Sequence, residues 1–133
     1  MTFEKFIGEV QHRARLSSTA DAIRATRATL ETLCQRLTAG ERKDLAAQLA
    51  HEIAHYVQGD VPLERLSLKD FFERVSEREE VPLPTAVYHA RVVIEVLREA
   101  VSPGEISDIR AQMPPEFDDL FESGSVGALH ANR

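Results

Sequence analysis

A chain of 133 residues, 43% hydrophobic and 29% charged, has a globular composition, and its length suits one helical domain over residues 1–122 with a tail at 123–133. No apolar run approaches the roughly 18–20 residues of a membrane span, and the first residues lack a signal-peptide core. A single Cys cannot form an internal disulfide, so a cytoplasmic location is expected, and the formal net charge of −6 disfavours general binding to nucleic acid or anionic lipid.

The first helix is expected over Thr2–Arg15, where Phe3, Phe6, Ile7 and Val10 recur at helical spacing behind Thr2 as N-cap. Ser17, Ser18 and Thr19 read as a loop, and Ile23, Leu30, Leu33 and Leu37 mark a second helix over Ala20–Leu37. Thr38-Ala39-Gly40-Glu41 fits a capping box, in which the hydroxyl accepts from the N3 amide and the Glu reaches back to the cap amide. It opens a third helix, Ala39–Val57, expected to run unbroken to about Gln58 because nothing in Ala50-His51 stops it. Residues 59–66 form a linker with Gly59, Asp60 and Pro62 as breakers. The second half then repeats the series: Ser67–Arg78, Pro84–Val101, and Pro103–Met113 behind the capping box Ser102-Pro103-Gly104-Glu105. Pro114-Pro115 breaks that helix and leaves Glu116–Glu122 as a short one. From Ser123 onward Gly, Ser, Ala and Asn dominate, the composition of a mobile tail.

The two halves align. Under a shift of 64 residues Ala20–Val57 falls on Pro84–Phe121, and ten of the 38 pairs are identical, among them Arg27/Arg91, Glu31/Glu95, Glu41/Glu105, Asp44/Asp108 and Gln48/Gln112. A shift of 65 aligns the earlier segment, Phe6 on Phe71 and Val10 on Val75, and the slip falls in the Ser17–Thr19 loop. The fold expected is all-α: two tandem three-helix repeats, residues 2–58 and 67–122, sharing one core as a six- or seven-helix bundle. A three-helix repeat of about 55 residues would be marginal alone. Phe6, Val10, Ile23, Leu30, Leu33, Leu45, Leu49, Phe71, Val75, Ile94, Leu97, Ile109, Phe117 and Leu120 are the expected core.

His51-Glu52-Ile53-Ala54-His55 matches H-E-x-x-H, the spacing that sets two imidazoles one helical turn apart to hold Zn²⁺ with a Glu as general base. On a continuous helix whose core face is Leu45, Leu49, Ile53 and Tyr56, however, both His point about 120–160° away from that face. Residue 58 is Gln, so the longer metzincin pattern fails. Glu73 and Glu77 stand near the spacing of a third ligand, but among Arg74, Arg78, Glu79 and Glu80 they read as a solvated face. No catalytic, cofactor-binding or metal-binding residue is therefore assigned, and a zinc-dependent hydrolase on residues 51–55 is the alternative reading. Cys34 lies off its helix stripe and reads as a partly buried bystander, and His12 and His89 as surface or boundary residues. Arg13, Arg15, Arg24, Arg27, Arg36, Arg42 and Lys43 make the N-terminal half less acidic, which places nucleic-acid binding third. The recurring polar residues read as a structural network: an i,i+4 Arg–Glu pair in each half, with caps and inter-helix hydrogen bonds.

The string Leu37-Thr38-x-Gly40-Glu41-x-x-Asp44-Leu45-Ala46-Ala47-Gln48-Leu49, with Phe71-Phe72-Glu73-Arg74-Val75 and Ala111-Gln112-Met113-Pro114, resembles an uncharacterised bacterial family, the domain of unknown function 2267. The resemblance covers about Thr2–Glu122 and implies an all-helical, two-repeat cytoplasmic protein with no activity attached. That family carries Pro after Gln-Leu; Pro114 fits and Ala50 departs, so His51 and His55 inherit no role from it. The function expected is a non-enzymatic helical interaction module that docks itself or another protein.

Overall fold

The computed structural model describes residues 1–124, and among them every regular element is helical. The expected mobile tail lies, from residue 125 on, outside the described residues. The elements are α1 (Phe3–Arg13), α2 (Thr19–Gln35), α3 (Ala39–Ala47), α4 (His51–Ala54) with a 3-10 turn at His55–Val57, α5 (Leu68–Glu79), α6 (Leu83–Ala100) and α7 (Pro103–Ala111). A 3-10 turn at Pro115–Phe117 leads into α8 (Asp118–Glu122). Hydroxyls start five of them: Thr2, Ser18, Thr38, Ser67 and Ser102 each accept from the backbone amide three residues on.

Among the described residues there are eight α-helices rather than six or seven, the additional one lying in the first half. The difference arises after Gln48. The expected continuous helix over Ala39–Val57 breaks at residues 48–50, where Ala50 turns to φ −54°, ψ 145°. Pro114 holds φ −68°, ψ 160° at the corresponding place before the second 3-10 turn. The break therefore needs no proline: it lets α4 bury Ile53 and Ala54 beside α1 and α3 and the 55–57 turn bury Val57 on α2, and tertiary packing overrides helix propensity.

α2 and α6 form the middle of the molecule. α2 packs on α1, α5 and α6, and α6 on α1, α2, α5 and α8. This explains why α2 is buried beyond its apolar stripe, with Ala22, Ala25, Ala28, Thr26, Thr29 and Thr32 all enclosed. One buried cluster runs from Phe6 through Leu30, Leu45, Phe71 and Leu97 to Phe121. Of the expected core, Ile23 and Leu49 are only partly buried, packed at its edge. No helix among the described residues is long and apolar enough to cross a membrane.

Candidate functional site

The His51–His55 string sits on a single helical turn. Both rings are exposed, with centroids 6.1 Å apart, while Ile53 and Ala54 between them are buried. Among the described residues no third His, Cys, Asp or Glu closes around these two rings.

The isolated candidates sit deeper than the sequence suggests. Cys34 is fully rather than partly buried: its Sγ donates to the Val57 carbonyl at 3.3 Å, and burial pushes the thiol upward although the Arg42 guanidinium opposes this. His89 is no surface residue. Its Nδ1 meets the Glu79 carboxylate in the interior, so the face carrying Glu79 is not uniformly solvated. Arg74 on that face bonds Glu64, and Arg78 donates to Thr32. The i,i+4 pair expected twice forms once. Arg27 Nε reaches Glu31 at 3.2 Å, but Arg91 turns to Asp119, and Glu95 accepts from Arg13 at 2.9 Å. Arg13 bridges Glu9, Glu95 and Glu99, and its guanidinium holds the Glu99 carboxyl below its ordinary value.

The polar groups converge where α3 meets α7. Thr38 and Ser102 cap these helices as expected, but the second half of each capping box does not form. The Thr38 amide donates to Gln112 Oε1 at 3.1 Å, and the Ser102 amide donates to Gln48 Oε1 at 2.8 Å. Each Gln thus supplies the other half of the chain with the acceptor that the local Glu was expected to provide. Glu41 and Glu105, released from that duty, face each other between the two helices, 8% and 5% exposed. With Asp108 they bring three carboxylate oxygens within 4.8 Å of one another. Gln112 Nε2 donates to Glu41 Oε1 at 3.2 Å, whereas Oε2 of Glu41 and Oε2 of Glu105 are buried with no hydrogen-bond partner. Burial and the neighbouring carboxylates of Glu41, Asp44 and Asp108 push the Glu105 carboxyl up to about 8. The sequence signal for this junction is the recurrence of Glu41/Glu105 and Gln48/Gln112 away from the apolar stripes. What it lacked was the knowledge that the two positions meet.

On its other side α3 borders a groove of about 590 Å³ whose floor includes Ala46, Ala47 and Val57. Arg42 and Lys43 stand at it, and neither makes an ion pair among the described residues; Arg42 Nη1 donates to the Gly59 carbonyl at 2.8 Å, and its Nε has no partner.

The model of a family described as uncharacterized conserved protein (DUF2267) matches residues 3–120. The chain belongs to this family. No curated protein matches it. In this DUF2267 chain the matched span takes in both capped helices, both Gln residues and the whole carboxylate junction.

Proposed function

We propose that this chain is a non-enzymatic helical interaction module, built from two tandem repeats, that associates with a second copy of itself. The groove beside α3 carries the reading. Ala46, Ala47 and Val57 give it an apolar lining, and exposed Lys43 and the largely buried Arg42 stand at it with Asp60, neither cation making an ion pair among the described residues. The complementary charge lies on the other half: residues 1–66 carry nine basic and nine acidic residues, but residues 67–133 carry seven basic and thirteen acidic. The more acidic second half of another copy against this groove joins unlike surfaces, so the association is head-to-tail.

The repeat reading is supported by the reciprocal caps. A shift of 64 residues turns the bounds of α3 into those of α7, and exchanging the halves turns the Gln48–Ser102 bond into the Gln112–Thr38 bond. That is the pattern of two repeats related by an approximate two-fold axis, with Glu41 and Glu105 facing each other across it.

Sedimentation at rising protein concentration tests the function. Mass should grow with concentration at low salt, shrink at high salt, and stay monomeric in Lys43→Glu, which reverses a charge exposed to solvent. A monomer throughout, at low salt and high concentration, overturns the reading. The competing hydrolase reading has the paired, exposed rings of His51 and His55 in its favour and is decided by zinc content. Nucleic-acid binding has less support, because Arg13 and Arg27 on the less acidic half are already tied to Glu9, Glu95, Glu99 and Glu31.

A further inference from the structure

We propose that the α3–α7 junction binds a divalent hard cation, with Glu41, Glu105 and Asp108 as its carboxylate ligands. The first observation is convergence: oxygens from α3 and α7 lie within 4.8 Å of one another. The second is independent of it. Oε2 of Glu41 and Oε2 of Glu105 are shielded from solvent and accept no hydrogen bond, on side chains more than nine-tenths buried. A buried, unsatisfied carboxylate oxygen is costly, and here two of the converging side chains, from different helices, each carry one. Charge compensation is lacking as well. Among the described residues none of Glu41, Asp44, Glu105 and Asp108 makes a salt bridge.

Ionised carboxylates only accept, so two facing ones need something between them. A shared proton joins two oxygens and leaves Asp108 and Asp44 in place with their charges. A divalent ion satisfies three carboxylates together, and exposed Asp108 leaves a side open through which the ion enters and keeps water ligands. The frame is already set: Gln112 holds Glu41 through its amide, and α3 and α7 are each tied to the opposite half at the cap. An oxygen-only ligand set selects calcium, magnesium or manganese over zinc or copper. Calcium–oxygen bonds of about 2.3–2.6 Å place opposite ligands up to roughly 5 Å apart, which suits this spread better than the tighter shell of magnesium.

The test titrates the full chain with calcium, magnesium and manganese chlorides, followed by calorimetry and thermal melting. Calcium and manganese should bind saturably at one ion per chain and raise the melting temperature, with magnesium weaker. Glu41→Gln and Glu105→Gln, which keep size and remove charge, should each lower affinity at least about tenfold while circular dichroism stays helical. Glu73→Gln with Glu77→Gln, on the acidic face of α5, should leave affinity unchanged. Bound manganese should broaden the amide resonances of Asp108 and Gln112 before those of His51. Titrations that stay flat into the millimolar range for all three ions overturn the site. So does affinity that survives Glu105→Gln, which would put the ion elsewhere. A Glu105→Gln chain that melts higher, with no ion effect on the unsubstituted chain, would assign the junction a shared proton and likewise refute the proposal.

Discussion

Glu105 shows how a residue can satisfy a local rule and then serve a distant one. As the third residue of α7 it fits the capping pattern, and its backbone amide does donate to Ser102 Oγ at 3.1 Å. Its carboxylate instead enters the interface with α3, where Glu41, Asp44 and Asp108 surround it. The folded carboxyl, at about 8 against an ordinary 4.5, keeps its proton over a range in which the unfolded chain has lost it. The sign follows from linkage: this stabilising contribution is complete below about pH 4.5 and is lost as pH rises toward 8. In metal-free buffer the melting temperature should therefore fall between those limits, and Glu105→Gln should flatten the fall. At pH 8 the variant should melt higher by about 3–6 °C, matching about 1–2 kcal/mol, and at pH 5 the two should coincide. Equal slopes in both chains would remove Glu105 as the cause. His51 and His55 are the contrasting case. Their rings are exposed, so replacing both with Ala should move the melting temperature by no more than about 1–2 °C, and chain purified without added metal should carry no stoichiometric zinc. One zinc per chain, lost with several degrees of stability in the double variant, would restore the hydrolase.

At the scale of elements, the parts legible in the sequence were those set by short-range chemistry. The caps at Thr2, Thr38, Ser67 and Ser102, the Pro114 break and the helix periodicity all involve neighbours within about four residues. The illegible parts were decided by partners far along the chain. The break at Ala50 follows from packing of the residues after it on α1, α2 and α3, and Gln48 and Gln112 act on helices 54 and 74 residues away. His89 went unrecognised as an interior group, and the full burial of Cys34 was missed, for the same reason, since Glu79 and Val57 come from other elements. The Ala50 turn yields a prediction. Its φ of −54° lies within the range proline enforces, and its amide is not among the backbone donors of the turn. Ala50→Pro should then be neutral or stabilising by up to about 1 kcal/mol, because it restricts the unfolded chain without straining the folded one. Loss of more than about 1 kcal/mol in chemical denaturation would mean that the Leu49–His51 turn is tighter than proline allows. The reciprocal caps give a second. Gln48→Ala and Gln112→Ala should each cost about 1 kcal/mol, and a cycle of Gln48→Ala with Ser67→Ala, a cap at which Gln48 makes no bond, should be additive. Strong coupling between those two sites would show that Gln48 acts through more than the Ser102 amide.

At the scale of the whole molecule, the question is whether either half could exist alone. The largest buried side chains come from both: Phe6, Leu30, Leu33, Leu37, Leu45 and Ile53 from one, Phe71, Ile94, Leu97, Ile109, Phe117 and Phe121 from the other. They are not two cores laid side by side. α2 packs on α5 and α6, α1 packs on α6, and α3 meets α7, so separating the halves exposes the inner face of every long helix. Polar ties cross the same boundary, with Arg13 held by Glu95 and Glu99, Tyr88 donating to the Arg13 carbonyl at 2.8 Å, and Arg36 Nη1 reaching the Gln112 carbonyl. A chain of about 60 residues buries only about 60% of its unfolded surface even when its core is complete, and here each half would also lose the facing side chains. Residues 1–66 and 67–133 expressed separately should therefore show weak helicity and no cooperative melting. Mixed in equal amounts they should recover helical circular dichroism and a single transition, with a melting temperature that rises with concentration because refolding is now bimolecular. A sharp, concentration-independent transition in residues 1–66 alone would mean that α1 to α3 and the 55–57 turn carry their own core, and the shared packing of α2 against α5 and α6 would be an interface between two folded units.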